Sequence, residues 1–211
     1  DQHRAFIMNV TPSEITLIDC NHPEDVRYTI PLGEITEQHF RRLLELFQID
    51  SLFVNQLHGI PHTLITTLVT ASGRPYDYFA HDYFAACPTV TLMNWQQRYC
   101  GGETDPQTCT GCLARLYRTG HGRARVPAVN IADWRRDFER FLNGARHVLV
   151  PSEDARTTIT RYYPNARTRL FVYTPADWLE LTYDPAFADD PELTVALLGA
   201  IGPHKGEQLL Y

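Results

Sequence analysis

The sequence has no apolar run approaching the roughly 20 residues that a membrane-spanning helix requires. It has no excess of basic charge: 19 Lys and Arg face 25 Asp and Glu, giving a formal net charge of −6. Phosphate backbones reward a basic surface, so this balance argues against nucleic-acid binding. No Gly-x-Ser-x-Gly elbow is present, which removes the usual turn of a serine hydrolase. No Gly-Lys-Ser/Thr of a P-loop occurs, and no Gly-x-Gly-x-x-Gly fingerprint follows the first strand. A Rossmann enzyme that modifies nucleotide sugars therefore ranks last among the readings. Internal repeats and low-complexity segments are also lacking. The first residues, Asp1-Gln2-His3-Arg4, carry neither a signal-peptide pattern nor an initiating Met, and read as an internal or trimmed start. The last residues, Gly206 to Tyr211, read as a helix cut in mid-course.

What is there is the composition of an ordinary α/β domain. At 211 residues with 44% hydrophobic content, the chain is long enough for one full domain. Five cysteines, an odd count without a secretory signal, argue for a reducing, cytoplasmic compartment.

Residues 5–10 and 15–19 read as two strands joined by the turn chemistry of Thr11-Pro12-Ser13. Val26 to Leu32 is a candidate third strand. Phe40, Leu43, Leu44 and Phe47 make one helical stripe, with Thr36 as N-cap. Leu52-Phe53-Val54 follows as a short buried strand, His62 to Ala71 as a helix and Tyr76 to Ala80 as the next strand. This alternation predicts a parallel sheet, and ligands of such sheets bind beyond the carboxyl ends of the strands. Gln56-Leu57-His58-Gly59 and His81-Asp82-Tyr83-Phe84 occupy those ends.

Residues 87–130 read as a long loop or insertion on the same side, with one short helix over Cys112 to Arg118. Trp134, Phe138, Phe141 and Leu142 mark an amphipathic helix from Asp133 to Gly144. His147 to Val150 reads as a strand, Ser152 caps a further helix ending at Pro164-Asn165, and Leu170 to Val172 is a last strand. The region 176–192 reads as a linker. Leu193 to Leu198 is an apolar strand that opens into Gly199-Ala200-Ile201-Gly202-Pro203-His204-Lys205-Gly206 and a helix start.

Three constellations carry chemistry. At 193–211, Gly199 and Gly202 permit tight backbone geometry, a helix N-terminus offers free N–H groups, and Lys205 adds a full positive charge, a set suited to a diphosphate. The alternative is a glycine-lined turn with a solvated lysine. At the end of the second predicted parallel strand, His81 and Asp82 can hydrogen-bond sugar hydroxyls, or else cap the following loop. Cys87, Cys100, Cys109 and Cys112 fit a tetrahedral structural zinc site, with Cys109-Thr110-Gly111-Cys112 as a metal-binding turn, but equally one or two disulfides or a small core of reduced thiols. Arg115, Arg118, Arg123 and Arg125 form a basic stretch, read as a solvated face that permits at most peripheral membrane contact.

The Gly199–Gly206 stretch, followed by Leu209-Leu210, resembles the opening of the donor domain in GT4-like glycosyltransferases, whose pattern is Gly-Arg-Leu-x-x-x-Lys-Gly. His81-Asp82-Tyr83 to Cys87-Pro88 resembles the family's Thr/His-Asp-Tyr/Trp-x-x-x-Cys-Pro stretch, and His58-Gly59 resembles its His-Gly stretch one strand earlier. Pro151-Ser152 is similar to the Pro-Ser that begins a late helix of the acceptor domain. The family's arginine falls on Ala200, a departure that leaves that charge to another residue. The resemblance implies a GT-B fold: a Rossmann-like parallel sheet with helices on both faces over residues 1–175, the linker, and the first strand of a donor-binding domain over 193–211. It implies transfer of a sugar from a nucleotide-sugar donor to a saccharide or lipid-linked acceptor, with retention and without a metal in the chemistry. His81 would then lie near the transferred sugar, Lys205 on the donor diphosphate with Gly199 and Gly202, and Asp82 and His58 on the acceptor side. The family's acidic donor motif would fall beyond Tyr211, so the chain alone is expected not to catalyse. The competing expectation is a non-catalytic binding domain, degenerate at Ala200 or stapled by zinc.

Overall fold

In a computed structural model, the structure describes residues 4–119, 129–171 and 202. Two sheets form. Strands β1 (Phe6–Val10), β2 (Glu14–Asp19) and β3 (His22–Pro31) make an antiparallel meander in the order β1-β2-β3. The first turn forms as its composition predicts: the Thr11 hydroxyl accepts from the N–H groups of Ser13 at 3.3 Å and Glu14 at 3.1 Å. β3 begins earlier than the expected Val26. The alternation in β2 buries Ile15, Leu17 and Asp19 on one face. Asp19 is tolerated there because the Asn21 N–H (3.0 Å) and the Arg4 guanidinium (3.3 Å) serve its carboxylate.

Helix α1 (Glu37–Leu46) starts at the predicted cap, where Thr36 Oγ1 accepts from the His39 N–H at 3.1 Å. It buries Phe40, Leu43 and Leu44, whereas Phe47 sits just past its end and packs edge-on against Phe6 and Tyr28 of the meander. The parallel sheet follows: β4 (Leu52–Val54), α2 (His62–Ala71), β5 (Tyr76–Phe79), α3 (Pro106–Thr119), α4 (Ile131–Gly144), β6 (His147–Val150), α5 (Glu153–Tyr162) and β7 (Thr168–Leu170). The strands pair in the order β4-β5-β6-β7, all parallel.

Helices flank this four-stranded parallel sheet, a layout compatible with a Rossmann-like fold. Strands laid down in sequence, with crossovers of one hand, put every connecting helix on the same side. Burial follows suit. Val54, Tyr76, Tyr78, Val148 and Val150 are buried against α2, α4 and α5. The residues on the opposite face, Phe53, Asp77, Phe79, His147, Leu149 and Arg169, are half-buried or exposed, with Phe53 at 55%. Asp77 there takes a bidentate grip from Arg146 and a contact from His147 Nδ1 at 3.1 Å.

The described part of the segment 87–130, residues 87–119, holds more regular structure than a loop. α3 begins at Pro106, six residues before the expected Cys112, because Asp105 caps it (Thr108 N–H to Asp105 Oδ2, 2.7 Å) and proline suits the first helical position. Cys109 to Cys112 is thus a stretch of helix, not a turn. α4 likewise starts two residues early, capped by Asn130, while α5 starts at the predicted Ser152 cap. β7 lies two residues before the expected Leu170–Val172. The predicted linker and final strand lie outside the described residues, and of the glycine-rich turn after them only Gly202 falls within; Gly199, Lys205, Arg123 and Arg125 lie outside.

Candidate site at the carboxyl edge of the parallel sheet

β4 and β5 are adjacent and parallel, so the residues that follow them emerge side by side. After β4, the chain turns at Gly59 with φ of 81°, a left-handed conformation that glycine adopts without strain. The His58 N–H donates to Gln56 Oε1 at 2.9 Å. This bond fixes which end of the Gln56 amide faces which way. Gln56 Nε2 is left to approach His81 Nε2, beyond β5, at 3.4 Å.

An amide nitrogen is only a donor, so His81 Nε2 meets it with its lone pair. The proton of the neutral ring then sits on Nδ1, which lies 3.4 Å from the Phe79 carbonyl. These two contacts favour the Nδ1–H tautomer, whereas the Asp82 carboxylate, on the same side as Nε2, favours a proton there. Asp82 stands beside the ring with Oδ2 3.6 Å from His81 Nε2. Its other oxygen accepts from the Phe84 N–H at 2.9 Å, so the cap on the loop is Asp82 rather than His81. The His81 side chain is 35% exposed and that of Asp82 15%, leaving the imidazole open to a ligand with a carboxylate behind it. His58 joins from the other side, its ring edge-on to Phe84 at 5.4 Å.

Beneath these residues the backbone is tied down from α4 and α5. The Trp134 indole N–H is shared between the carbonyls of Phe84 (3.0 Å) and Ala85 (3.1 Å), and the Tyr163 hydroxyl donates to Ala85 at 2.6 Å. Arg135 spans the segment: Nε donates to Ala86 O (3.0 Å), Nη1 to Thr104 O (2.7 Å), and Nη2 to Glu103 O (3.1 Å) and Cys109 Sγ (3.2 Å). Ala85 and Ala86 are fully buried. His62, at the start of α2, sits among Phe84, Trp134 and Phe138, and burial pushes its pKa below the ordinary value against a smaller upward pull from Asp137.

The structure therefore brings His58, His81 and Asp82 together and adds Gln56, which the sequence offered only as part of a promising segment. It also adds Arg135, whose place beside the buried Trp134 gave no functional signal. The four cysteines 87–112 are free thiols, as is the exposed Cys20. No three of the four sulfurs lie within 4.8 Å of one another; among the described residues only His22, Glu24 and Asp25 form such a group, exposed at the start of β3. A surface groove runs along α1, lined by Gln38, His39, Arg41, Arg42 and Glu45, and no residue following a parallel strand lines it. Of the basic stretch, Arg115 stacks over the Trp95 ring and Arg118 bonds the Ala114 carbonyl. Among the described residues no helix is long and apolar enough to cross a membrane.

Comparison of the chain with family models, curated proteins and solved structures finds no match.

Proposed function

We propose that the protein is a glycosyltransferase that moves a sugar from a nucleotide-sugar donor to a saccharide or lipid-linked acceptor, and that the carboxyl edge of the parallel sheet is the acceptor side of its cleft. The observation that carries this reading is the His81 imidazole: it stands at the end of a parallel strand, oriented by Gln56 and backed by Asp82. A neutral ring with its lone pair on Nε2 accepts a hydrogen bond from a sugar hydroxyl; a protonated ring donates one, with the Asp82 carboxylate balancing its charge. In this reading His81 orients the sugar and stabilises positive charge developing on it, and His58 and Asp82 shape the acceptor side. Lys205, with Gly199 and Gly202, neutralises charge on the leaving diphosphate.

The test is calorimetric titration of UDP, GDP and dTDP into the whole protein, followed by turnover with the matching nucleotide sugars. Saturable binding of one nucleotide, weakened by Lys205→Ala, together with turnover lost in His81→Ala, is the expected result. No binding of any nucleotide by the whole protein would reject the transferase. A second reading, a non-catalytic binding domain, is favoured by Ala200 in place of the arginine of the GT4-like pattern; nucleotide binding without turnover would select it.

A further inference from the structure

Four of the five cysteines fall within residues 87–112, and hydrogen bonds from α4 and α5 hold the stretches that carry them. Cys87 closes a tight turn, its N–H on the Tyr83 carbonyl at 2.9 Å. Cys100 follows a small hairpin whose arms meet at Met93 and Tyr99, and its N–H reaches back to the Leu92 carbonyl at 2.9 Å. Cys109 and Cys112 are three apart in the first turns of α3, a spacing that puts both sulfurs on one side of a helix. Arg135 ties these pieces together, touching Cys109 Sγ, the carbonyl just before Cys87, and the carbonyls of Glu103 and Thr104 between Cys100 and Cys109.

The end of α5 holds the stretch after Cys100 beside Arg135: Arg161 Nη1 donates to the Gly101 carbonyl at 2.6 Å, and the Tyr162 hydroxyl, whose ring lies under the Arg135 guanidinium, donates to the Glu103 carbonyl at 3.0 Å. The intervening backbone is strained. Val90, Leu92 and Gln97 all have left-handed φ angles of 67°, 57° and 59°. Such conformations, least of all at a β-branched valine, persist only where the surroundings over-determine them.

We propose that Cys87, Cys100, Cys109 and Cys112 form a tetrathiolate zinc site that clamps residues 83–112 against α4 and α5, directly behind His81. Zinc suits four sulfur donors in tetrahedral array. Binding converts four thiols and one Zn²⁺ into a centre of net charge −2, with four protons released to solvent. The Arg135 guanidinium, 3.2 Å from Cys109 Sγ, is placed to offset that charge and to hold one ligand as a second-layer donor. In this structure the sulfurs stand wider than a coordination sphere, so binding draws them inward. The site is structural; it does not depend on the glycosyl-transfer reading, and its test does not use activity.

The whole protein, purified without chelator under reducing conditions, is expected to contain about one zinc per chain. Cys20→Ser is expected to keep that metal, and Cys109→Ser with Cys112→Ser to lose at least nine-tenths of it. Because the double variant can fail to fold, cobalt(II) is also added to the metal-free wild-type protein, where an intense sulfur-to-cobalt charge-transfer band is expected. Less than about a tenth of a zinc per chain with no cobalt band would overturn the proposal. So would iron in place of zinc, or disulfides among the four cysteines in freshly isolated protein.

Discussion

The Tyr76 hydroxyl donates to the Phe141 carbonyl at 2.6 Å, and it stands 2.5 Å from where a Cβ on Gly144 would lie. Tyr76 is buried on β5, its ring stacked on that of Phe141, so the hydroxyl cannot swing away. Gly144, expected only to end α4, is there to make room. Gly144→Ala should destabilise the protein by about 1–3 kcal/mol, as overpacking does. In a Tyr76→Phe background the penalty should shrink, because the obstructing atom is gone. Denaturant unfolding of the two single variants and the double variant measures the coupling; an unchanged penalty would refute this account.

The tautomer of His81 is testable without a substrate. Nitrogen chemical shifts of the neutral ring should show the proton on Nδ1 in the wild-type protein. Gln56→Ala removes the donor facing Nε2 and should shift the population toward the Nε2–H form. A wild-type ring already dominated by Nε2–H would remove Gln56 as its positioning residue.

His62 gives the fold a pH dependence of definite sign. Its pKa in the folded state lies below the ordinary 6.5, chiefly through burial among aromatic rings. The unfolded chain therefore takes up a proton first as pH falls. Stability contributed by the neutral ring is full above about 6.5 and declines as pH drops from there toward the folded pKa. Asp137 opposes the shift but does not reverse it. In His62→Phe, denaturant midpoints should fall less between pH 7 and pH 5 than in the wild type. Equal slopes would show that other groups set the dependence.

Arg135 serves three carbonyls and one thiol, and its ring-side face lies 4.6 Å over Tyr162. Arg135→Met should destabilise by about 2–3 kcal/mol, since charged hydrogen bonds are lost and carbonyls are left partly unserved. Arg135→Lys should recover less than half, because an ammonium lacks the planar fork. Hydrogen exchange should locate the loosening in residues 83–109; uniform loosening across the sheet would contradict the assigned role.

Periodicity made much of this fold legible. The stripes of α1 and α4, the caps Thr36 and Ser152 and the short β-branched strands each obey local rules, and the structure keeps them. The separate meander did not declare itself, since nothing in residues 5–31 states which sheet they join. α3 was half-hidden because Thr108, Thr110 and Gly111 are weak helix formers, although Asp105-Pro106 announces its start. At the candidate site, His81 and Asp82 could be read from their place after a strand. Gln56 could not, because its amide acquires a role only when β4 and β5 lie side by side. Arg135 was hidden for a similar reason: its partners are main-chain carbonyls from a distant stretch, and carbonyls leave no mark in a sequence.

That last point bears on how the segment after β5 can change. Part of its path is set by Trp134, Arg135 and Tyr163, which grip its backbone from outside. The template is held in α4 and α5, and the segment is cast against it. Exposed side chains between the gripped positions, such as Gln96, Arg98 and Tyr99, are thus free to vary in size and charge without redirecting the chain. A surface next to His81 can be recast in this way while the imidazole itself stays where β5 puts it.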